Sequence, residues 1–390
     1  MMEGSAAQKE TKKLTYGMVG GGQGAFIGEV HRKSIAMDGK AELVAGCFSR
    51  DHQNTLATGK KLGLEEGRLY ASFEKMMTAE GQRKDKIDFV VIVTPNSSHF
   101  TIAKSAMENG IHVVCDKPLT CNSGDAEELA RLSTEKDLLF CVTYTYTGYP
   151  MVKHFREMVA NGELGDIRFV NAEYPQEWLS TFLDESGNKQ AAWRTDPALT
   201  GASNCVGDIG SHIENMVSYL TGLKIRSLCA RLDTFVEGRT LDDNASIMVE
   251  YDGGAKGLYW SSQIAVGNDN GLRVRIYGSD GSVQWCQENP NYAEVCFLGK
   301  PKVILSRGRD DMYPHAQRYS RVPAGHPEGY FEAFANIYAT FCGALAKKLA
   351  GEALKAGEMD YPGADEGVRG VKFIEKCVES SKNGAIWINF

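Results

Sequence analysis

The first third of the chain alternates short apolar runs with segments long enough for helices. The apolar runs occupy residues 14–19, 41–48, 87–93, 111–115 and 138–143, and helical candidates at 98–109 and 123–136 lie between them. Parallel strands need a long connection, usually a helix, so this alternation predicts a parallel, doubly wound sheet. We therefore expect an α/β dinucleotide-binding domain over residues 14–146, preceded by a disordered tail over residues 1–13.

Beyond residue 150 the pattern changes to strand candidates joined by tight turns. After a predicted helix at 151–161, strands are expected at residues 167–174, 225–236, 245–251, 256–265, 273–277, 282–286 and 293–298. Short turns rich in Gly and Asp join antiparallel strands. Helices are expected at 328–349 and 364–382, and residues 299–324 are predicted to be a loose segment. The second domain, residues 147–390, should thus be α+β with a large, open, mostly antiparallel sheet.

Composition limits the partners and the compartment of the protein. A length of 390 residues exceeds the size at which one core stops growing, which favours two domains. A net charge of −7 and a pI near 5.7 argue against nucleic acid or a membrane surface as partner. The ten cysteines include no Cys-x-x-Cys pair, so reduced thiols are expected rather than disulfides or a metal site. Without a signal peptide or an apolar span, the protein is expected in the cytoplasm.

A glycine-rich turn follows the first predicted strand and fits the pattern glycine-x-glycine-x-x-alanine at positions 20, 22 and 25. Small residues there let the backbone approach a diphosphate, whose charge is met by the free amides of the next helix. The motif alone also fits an ordinary turn. The expected dinucleotide contacts in this turn are Gly20, Gly22, Gln23, Gly24 and Ala25.

The second predicted strand ends at Ser49 and Arg50, where an acidic residue would normally hold the ribose hydroxyls. A serine and a guanidinium could hold a 2′-phosphate instead, so either NAD or NADP is expected as cofactor. The alternatives are a solvated Arg50, or an Asp51 that turns toward the ribose and restores a preference for NAD.

A polar loop after the run at 87–93 should lie over the same crevice. It adds four candidate cofactor contacts: Thr94, Pro95, Asn96 and His99. His99 could equally be a residue of an amphipathic helix.

Two further motifs carry groups suited to proton transfer. The run at 111–115 ends in Asp116, Lys117 and Pro118, at the sheet edge where ligands bind, and partial burial would bring the lysine pKa toward the range of a general acid or base. Asp208 and His212 are four residues apart in a helical segment and would share one face. The alternatives are a surface lysine, and an aspartate that caps the helix with the histidine packed behind it.

Together, the glycine-rich turn, the Asp116-Lys117-Pro118 run and the Gly-Asp-Ile-Gly-Ser-His run at 207–212 resemble the Gfo/Idh/MocA oxidoreductases, the relatives of glucose-fructose oxidoreductase and inositol dehydrogenase. The resemblance covers about residues 14–390. It implies an amino-terminal Rossmann domain that binds NAD or NADP and a second domain whose open sheet forms a sugar pocket. The family usually has glutamate where this chain has Asp116.

The resemblance implies that Lys117, Asp208 and His212 are the catalytic residues. His212 would take a proton from a sugar hydroxyl as hydride passes to nicotinamide, while Lys117 bonds the same oxygen and Asp208 orients the substrate or tunes His212. Which of Lys117 and His212 is the formal base stays open. Asp116 and Lys117 would also contact the cofactor.

Aromatic and charged residues suited to a polyol occur around these motifs. Sugars stack their C–H faces on aromatic rings and pair their hydroxyls with polar side chains. The candidate substrate contacts are Tyr144, Tyr146, Trp193, Arg194 and His326. Core or lid packing is the alternative for each of them.

The combined expectation is an NAD(P)-dependent dehydrogenase of a sugar, glycoside or cyclitol. Two alternatives are a redox-neutral epimerase or lyase that uses bound NAD transiently, and a non-catalytic regulator that senses a dinucleotide or a sugar. An uncovered apolar sheet face also predicts a homodimer or homotetramer joined sheet to sheet. The residues assigned to that face are Ile247, Val249, Leu258, Trp260, Val274 and Ile276.

Overall fold

The computed structural model describes residues 13–183, 187–355 and 357–390, so the predicted tail, except for Lys13, lies outside the described residues. The strands are Leu14–Gly20 (β1), Ala41–Cys47 (β2), Phe89–Val93 (β3), His112–Cys115 (β4), Phe140–Val142 (β5), Ile167–Pro175 (β6), Ile225–Asp233 (β7), Asn244–Tyr251 (β8), Lys256–Ser262 (β9), Arg273–Gly278 (β10), Gly281–Cys286 (β11), Tyr292–Phe297 (β12), Val303–Ser306 (β13) and Ile388–Asn389 (β14). The α-helices are Ile27–Met37 (α1), His52–Lys61 (α2), Phe73–Gln82 (α3), His99–Glu108 (α4), Ser123–Glu135 (α5), Pro150–Ala160 (α6), Lys189–Arg194 (α7), Pro197–Thr200 (α8), Ser211–Thr221 (α9), Pro314–Gln317 (α10), Tyr330–Leu349 (α11) and Ala364–Lys382 (α12).

The first domain is built on a parallel sheet of five strands in the order β2-β1-β3-β4-β5. Every residue of β3 is buried, as expected for a central strand with both faces covered. One face is completed by α11, which belongs to the last part of the chain and packs Phe341 edge-on against Phe89 with ring centroids 5.3 Å apart. The doubly wound architecture predicted from the sequence is confirmed. It brings the carboxyl ends of β1, β3 and β4 to one edge, where ligands bind in such sheets.

The second domain contains a nine-stranded sheet in the order β13-β12-β11-β10-β6-β9-β8-β7-β14. All neighbouring strands are antiparallel except β6 and β9, so the predicted open, mostly antiparallel sheet is also confirmed. Helix α9 packs against both α6 and α12. It also lies against β6, and α12 lies against β7. Their apolar residues and the inner face of the sheet form one continuous core.

Several predicted boundaries differ from the structure. The segment predicted to be loose, 299–324, contains β13 and α10. The strand predicted to end at Val236 ends at Asp233, because the backbone N–H groups of Phe235 and Val236 donate to the carboxylate of Asp243 and turn the chain. Gly329 caps α11, so this helix begins at Tyr330 rather than at Glu328.

The apolar face of the sheet was assigned incorrectly at four positions. Side chains alternate across a strand, and Ile247, Val249, Val274 and Ile276 point into the core, where each is no more than 1% exposed. The outer face carries Leu258 and Trp260 from the predicted set. It also carries other large apolar residues, whose exposed fractions are 38% for Phe169, 47% for Met248 and 43% for Tyr277.

The ten cysteines are all free thiols, and most of them are buried. Among the described residues, no helix combines the length and the hydropathy that a bilayer crossing requires.

Candidate active site

A cradle of glycines lies at the carboxyl end of β1. Gly20, Gly21 and Gly24 have φ angles of +87°, +74° and +84°, which glycine adopts without strain. Space also requires glycine at the first position, because a Cβ atom on Gly20 would lie 2.7 Å from the carbonyl oxygen of Val93. The turn therefore fits a bound diphosphate that approaches the backbone closely.

The close packing between this turn and α1 is made by Gly28 rather than by Ala25. A Cβ atom on Gly28 would lie 2.4 Å from the Cα atom of Gly21, so the helix can start against the turn only because both residues are glycines. The spacing of the motif thus placed the last small residue too early, since α1 begins at Ile27.

Other predicted cofactor residues of the turn anchor it to its surroundings. The N–H of Gly22 donates to the carbonyl of Phe48 at 3.1 Å, and the N–H of Ala25 donates to that of Gly22 at 3.0 Å. The N–H of Gln23 donates to Oδ1 of Asn54 at 3.0 Å. These amides hold the shape of the cradle.

Ser49 and Arg50 follow β2. The Ser49 hydroxyl accepts a hydrogen bond from the N–H of Asp51 at 3.1 Å, and the Asp51 carboxylate accepts one from the N–H of Gln53 at 3.0 Å as the cap of α2. Asp51 is therefore engaged with its own helix and does not turn toward the cleft. Arg50 is exposed.

The loop after β3 connects the two domains. Thr94 and Pro95 are half-buried at the strand end. Asn96 is buried, and its side-chain amide donates to the carbonyl of Thr200 in the second domain at 3.0 Å.

His99 is fully buried and joins two loops that flank the cleft. Its Nδ1 lies 3.0 Å from the carbonyl oxygen of Pro118, and its Nε2 lies 2.9 Å from that of Thr94. The ring therefore links these two loops to each other and does not face the cleft.

Lys117 follows β4 and reaches the second domain. Its Nζ donates to Oδ1 of Asp208 at 2.9 Å and to the carbonyl oxygen of the same residue at 2.6 Å. The side chains of this pair are only 15% and 12% exposed. Asp116 accepts hydrogen bonds from the Thr143 hydroxyl and from the N–H of Lys117, both at 2.9 Å. The lysine is therefore held from both domains.

Asp208 is the centre of a charged network. Its Oδ2 accepts hydrogen bonds from Nε of Arg194 at 3.1 Å and from Nε2 of Gln263 at 3.0 Å. Although burial raises its pKa, the charges of Arg194 and Lys117 hold the pKa of Asp208 well below its usual range. The group is therefore a carboxylate at physiological pH.

A π-helical turn, Val206–Gly210, carries Asp208 into position just before α9. The buried carboxylate of Asp242 accepts hydrogen bonds from the N–H groups of Asn204 and Val206, both at 3.0 Å, and holds the start of this turn. Single π-helical turns occur often at functional sites. The aspartate thus faces the lysine and does not cap the helix.

His212 lies one turn further along, in an aromatic enclosure. The ring centroid of Tyr146 is 4.7 Å from that of His212, and the centroids of Tyr144 and Tyr174 are 5.5 Å and 6.1 Å away. Burial lowers the pKa of His212 well below its usual value, and the charge of Lys117 lowers it further while Asp208 opposes this shift. The imidazole is therefore neutral and able to accept a proton.

The predicted substrate residues Tyr144 and Tyr146 form walls of this enclosure. An added Cβ on Gly370 would lie 2.2 Å from the Tyr144 hydroxyl, so this hydroxyl points into the packing against α12. The Tyr146 hydroxyl bonds to that of Tyr174, which donates to Oδ1 of Asn270 at 2.6 Å. Burial raises the pKa of Tyr146 to about 12, so it remains protonated.

Trp193 and Arg194 stand together at the end of α7. The guanidinium of Arg194 lies over the Trp193 ring at 4.3 Å from its centroid and also faces Trp178 at 5.7 Å. Arg194 thus joins an aromatic surface to the Asp208 carboxylate.

His326 is exposed and lies apart from the three predicted catalytic residues. It borders a cavity of about 520 Å³ that Tyr149 and Tyr330 also line. Both tyrosines pack against Tyr146 at 6.4 Å, so an aromatic layer stands between this cavity and the histidine of the site.

Sequence reasoning missed Gln263, Tyr174 and Asn270, which complete the network around Asp208 and Tyr146. Tyr174 lies at the end of β6 and Gln263 just beyond the end of β9, which pairs with β6, whereas Asn270 lies in the segment that leads into β10. No local motif marks them.

Comparison with known proteins gives matches along most of the chain. A family model described as an oxidoreductase family with an NAD-binding Rossmann fold matches residues 14–144, and a model of the GFO/IDH/MocA C-terminal domain matches residues 152–284. An uncharacterized oxidoreductase, YfiI of Bacillus subtilis (strain 168), is 35% identical over 383 residues, which cover 97% of this chain and 98% of that protein.

Solved structures are similar to this chain along almost its whole length. An inositol dehydrogenase homologue from Azotobacter vinelandii in complex with NAD+ has a TM-score of 0.94 and 35% identity over the full length of both chains. The same homologue with NADH and myo-inositol has a TM-score of 0.91 and 34% identity, with 97% and 98% of the two chains covered. Levoglucosan dehydrogenase of Pseudarthrobacter phenanthrenivorans is 25% identical over 73% of this chain and 77% of its own.

Proposed function

We infer that this chain, which belongs to the Gfo/Idh/MocA family of oxidoreductases, is an NAD(P)-dependent dehydrogenase that acts on a secondary alcohol of a cyclitol or sugar. The observation that carries the proposal is the buried constellation of Lys117, Asp208 and the neutral His212 beside the glycine cradle. The relatives that bind myo-inositol or oxidise levoglucosan support a cyclic polyol as substrate.

In this proposal, His212 and Lys117 act on the hydroxyl that is oxidised, and Asp208 acts through Lys117. A nicotinamide dinucleotide, held by the glycine cradle, supplies the hydride acceptor or donor. Neutral His212 takes the hydroxyl proton, since its ring nitrogens have no hydrogen-bond partner among the described residues. Lys117 donates to the developing alkoxide, and Asp208 holds the Lys117 amine in position through its hydrogen bond.

The aromatic enclosure excludes water and presents flat surfaces to a sugar ring. Tyr146 and Trp193 are proposed to stack on the substrate, and Arg194 to hold Asp208 in place. Arg194 is therefore a positioning residue in this scheme.

The test is a screen of inositols, free sugars and glycosides with NAD+ and NADP+, followed by absorbance of the reduced nicotinamide. On the best substrate, Lys117→Met and His212→Ala should each lower kcat by about 100- to 1000-fold, because a preorganised group at the reacting oxygen is lost. Affinity for NADH, measured by its fluorescence, should change little.

Lys104→Met is the matched control, since Lys104 is a partly exposed lysine of the same domain that pairs with Glu128. This variant should keep the kcat of the wild type. Near-native kcat in both Lys117→Met and His212→Ala would show that the catalytic assignment is wrong. Conversion of the substrate to an isomer or an elimination product, without accumulation of reduced cofactor, would point instead to redox-neutral chemistry.

A further inference from the structure

Residues 187–201, here called the strap, cross the mouth of the cleft between the two domains. At one end Lys189 lies beside the glycine cradle. In the middle Arg194 bonds to Asp208 at 3.1 Å, and at the other end the carbonyl of Thr200 accepts a hydrogen bond from Asn96 at 3.0 Å. The strap therefore touches the cleft near the diphosphate cradle, near the ion pair of the site and at the loop after β3.

Lys189 is the residue of the strap that faces the cradle. A Cβ atom on Gly24 would lie 3.4 Å from the Nζ of Lys189, so the ammonium stands directly over the turn. Gly24 is exposed and has no side chain to fill this space.

The positive charge of Lys189 is uncompensated within the described part of the chain, where its amine has no ion-pair or hydrogen-bond partner. Glu29, the acidic residue in the first turn of α1, is bound to Lys33 at 2.8 Å instead. The amino end of α1 adds its own positive potential at the same place. An anion that lay against the cradle would meet both.

We propose that Lys189 is a cofactor-binding residue, contributed by the second domain, that pairs with the diphosphate of the bound dinucleotide. This inference rests on the proposed function, because it needs a dinucleotide in the cradle. A lysine suits the role, since its flexible stem lets a compact charge follow a diphosphate without a fixed geometry. Since Arg194 lies on the same short helix, the pairing also links cofactor binding to the position of Asp208.

The experiment is isothermal titration of NADH and of ADP-ribose into the full chain. Both ligands carry the diphosphate, so Lys189→Met should weaken each by about tenfold, the effect of losing one charge-assisted hydrogen bond from an exposed lysine. Lys189→Arg should restore most of the affinity. Added salt should weaken binding to the wild type more steeply than to Lys189→Met, because an exposed charge pair is screened.

Lys302→Met, which removes an exposed lysine of the second domain that pairs with Glu294, is the matched control and should bind both ligands like the wild type. Unchanged affinity in Lys189→Met would overturn the inference, as would a loss equal to that of the control or a loss confined to NADH. Failure of the wild type to bind either ligand would instead refute the proposed function.

Discussion

At the scale of single residues, the choice between the two dinucleotides depends on which charged side chains are free near the end of β2. The Asp51 carboxylate caps α2, whereas Arg50 is exposed. A carboxylate facing the ribose would repel a 2′-phosphate, and none is supplied by Asp51. We therefore expect the protein to bind both NADP and NAD.

Arg50→Ala should weaken NADPH by about 5- to 50-fold and leave NADH within about twofold, because only NADPH carries the phosphate that a guanidinium pairs with. Titration of both reduced cofactors checks this. Lys61→Ala, at the far end of α2, is the control and should affect neither. Equal losses for the two cofactors in Arg50→Ala would show that Arg50 points to solvent.

Residues in local motifs could be predicted from the sequence, whereas their partners could not. Lys117 follows a buried strand and His212 opens a helix, so short patterns mark both. The bonds from Arg194 and Gln263 to Asp208 join distant parts of the chain, and only the folded topology brings them together. His99 was ambiguous in the sequence because burial between two carbonyl groups leaves no local signal.

At the scale of secondary-structure elements, Asp360 joins α6, α9, α10 and the segment before α12. Its carboxylate accepts hydrogen bonds from Lys153 at 2.8 Å, Arg156 at 2.6 Å, Tyr219 at 2.8 Å and His315 at 2.9 Å, with its side chain 3% exposed. Burial alone would raise its pKa, but these donors and charges hold the pKa of Asp360 well below its usual range. One carboxylate thus fastens several helices together.

Asp360→Asn should lower the free energy of unfolding by about 3–5 kcal/mol at neutral pH, because the buried Lys153 loses its charged partner. The pKa of this carboxyl is lower in the folded state than in the unfolded state. Its contribution is therefore complete above pH ~4 and is lost as the pH falls toward the folded pKa.

Urea unfolding at neutral and at acidic pH measures the difference between the variant and the wild type, which should shrink in acid. Glu135→Gln, which breaks the exposed pair with Arg131, is the control and should leave the unfolding midpoint unchanged. An unfolding free energy for Asp360→Asn equal to that of the wild type would refute the role assigned to this carboxylate.

Element types were easier to predict than element ends. Apolar periodicity predicted the long helices α11 and α12 and the five parallel strands, because burial of one face or both dictates those patterns. Short elements such as α7, α8 and β14 carry too few residues for a periodic signal. Their conformations depend on contacts such as the bond of Arg194 to Asp208.

At the scale of the whole molecule, the outer face of the nine-stranded sheet is the surface most suited to self-association. Met248 in β8 and Leu258 in β9 are direct cross-strand neighbours, and so are Phe169 in β6 and Tyr277 in β10. Exposed apolar patches usually mark interfaces. We propose that two or four copies associate through this face.

The double variant Met248→Glu/Leu258→Glu should be monomeric, because desolvating two carboxylates in an apolar interface is costly. Light scattering at micromolar concentration measures the mass. Met37→Glu, at an exposed apolar position of the first domain, is the control and should keep the mass of the wild type. A wild type that is already monomeric would contradict the proposed association.

The packing of α11 against the first sheet has a consequence for the order in which the protein can mature. Phe341 closes the aromatic core around Phe89, yet it leaves the ribosome after almost all of the chain. Until α11 is made, the nascent first domain has one apolar sheet face that α1 covers only in part. Chaperone binding to ribosome-bound nascent chains should therefore end only in chains long enough to expose α11. The first domain then completes its folding only after the last part of the chain has been synthesised.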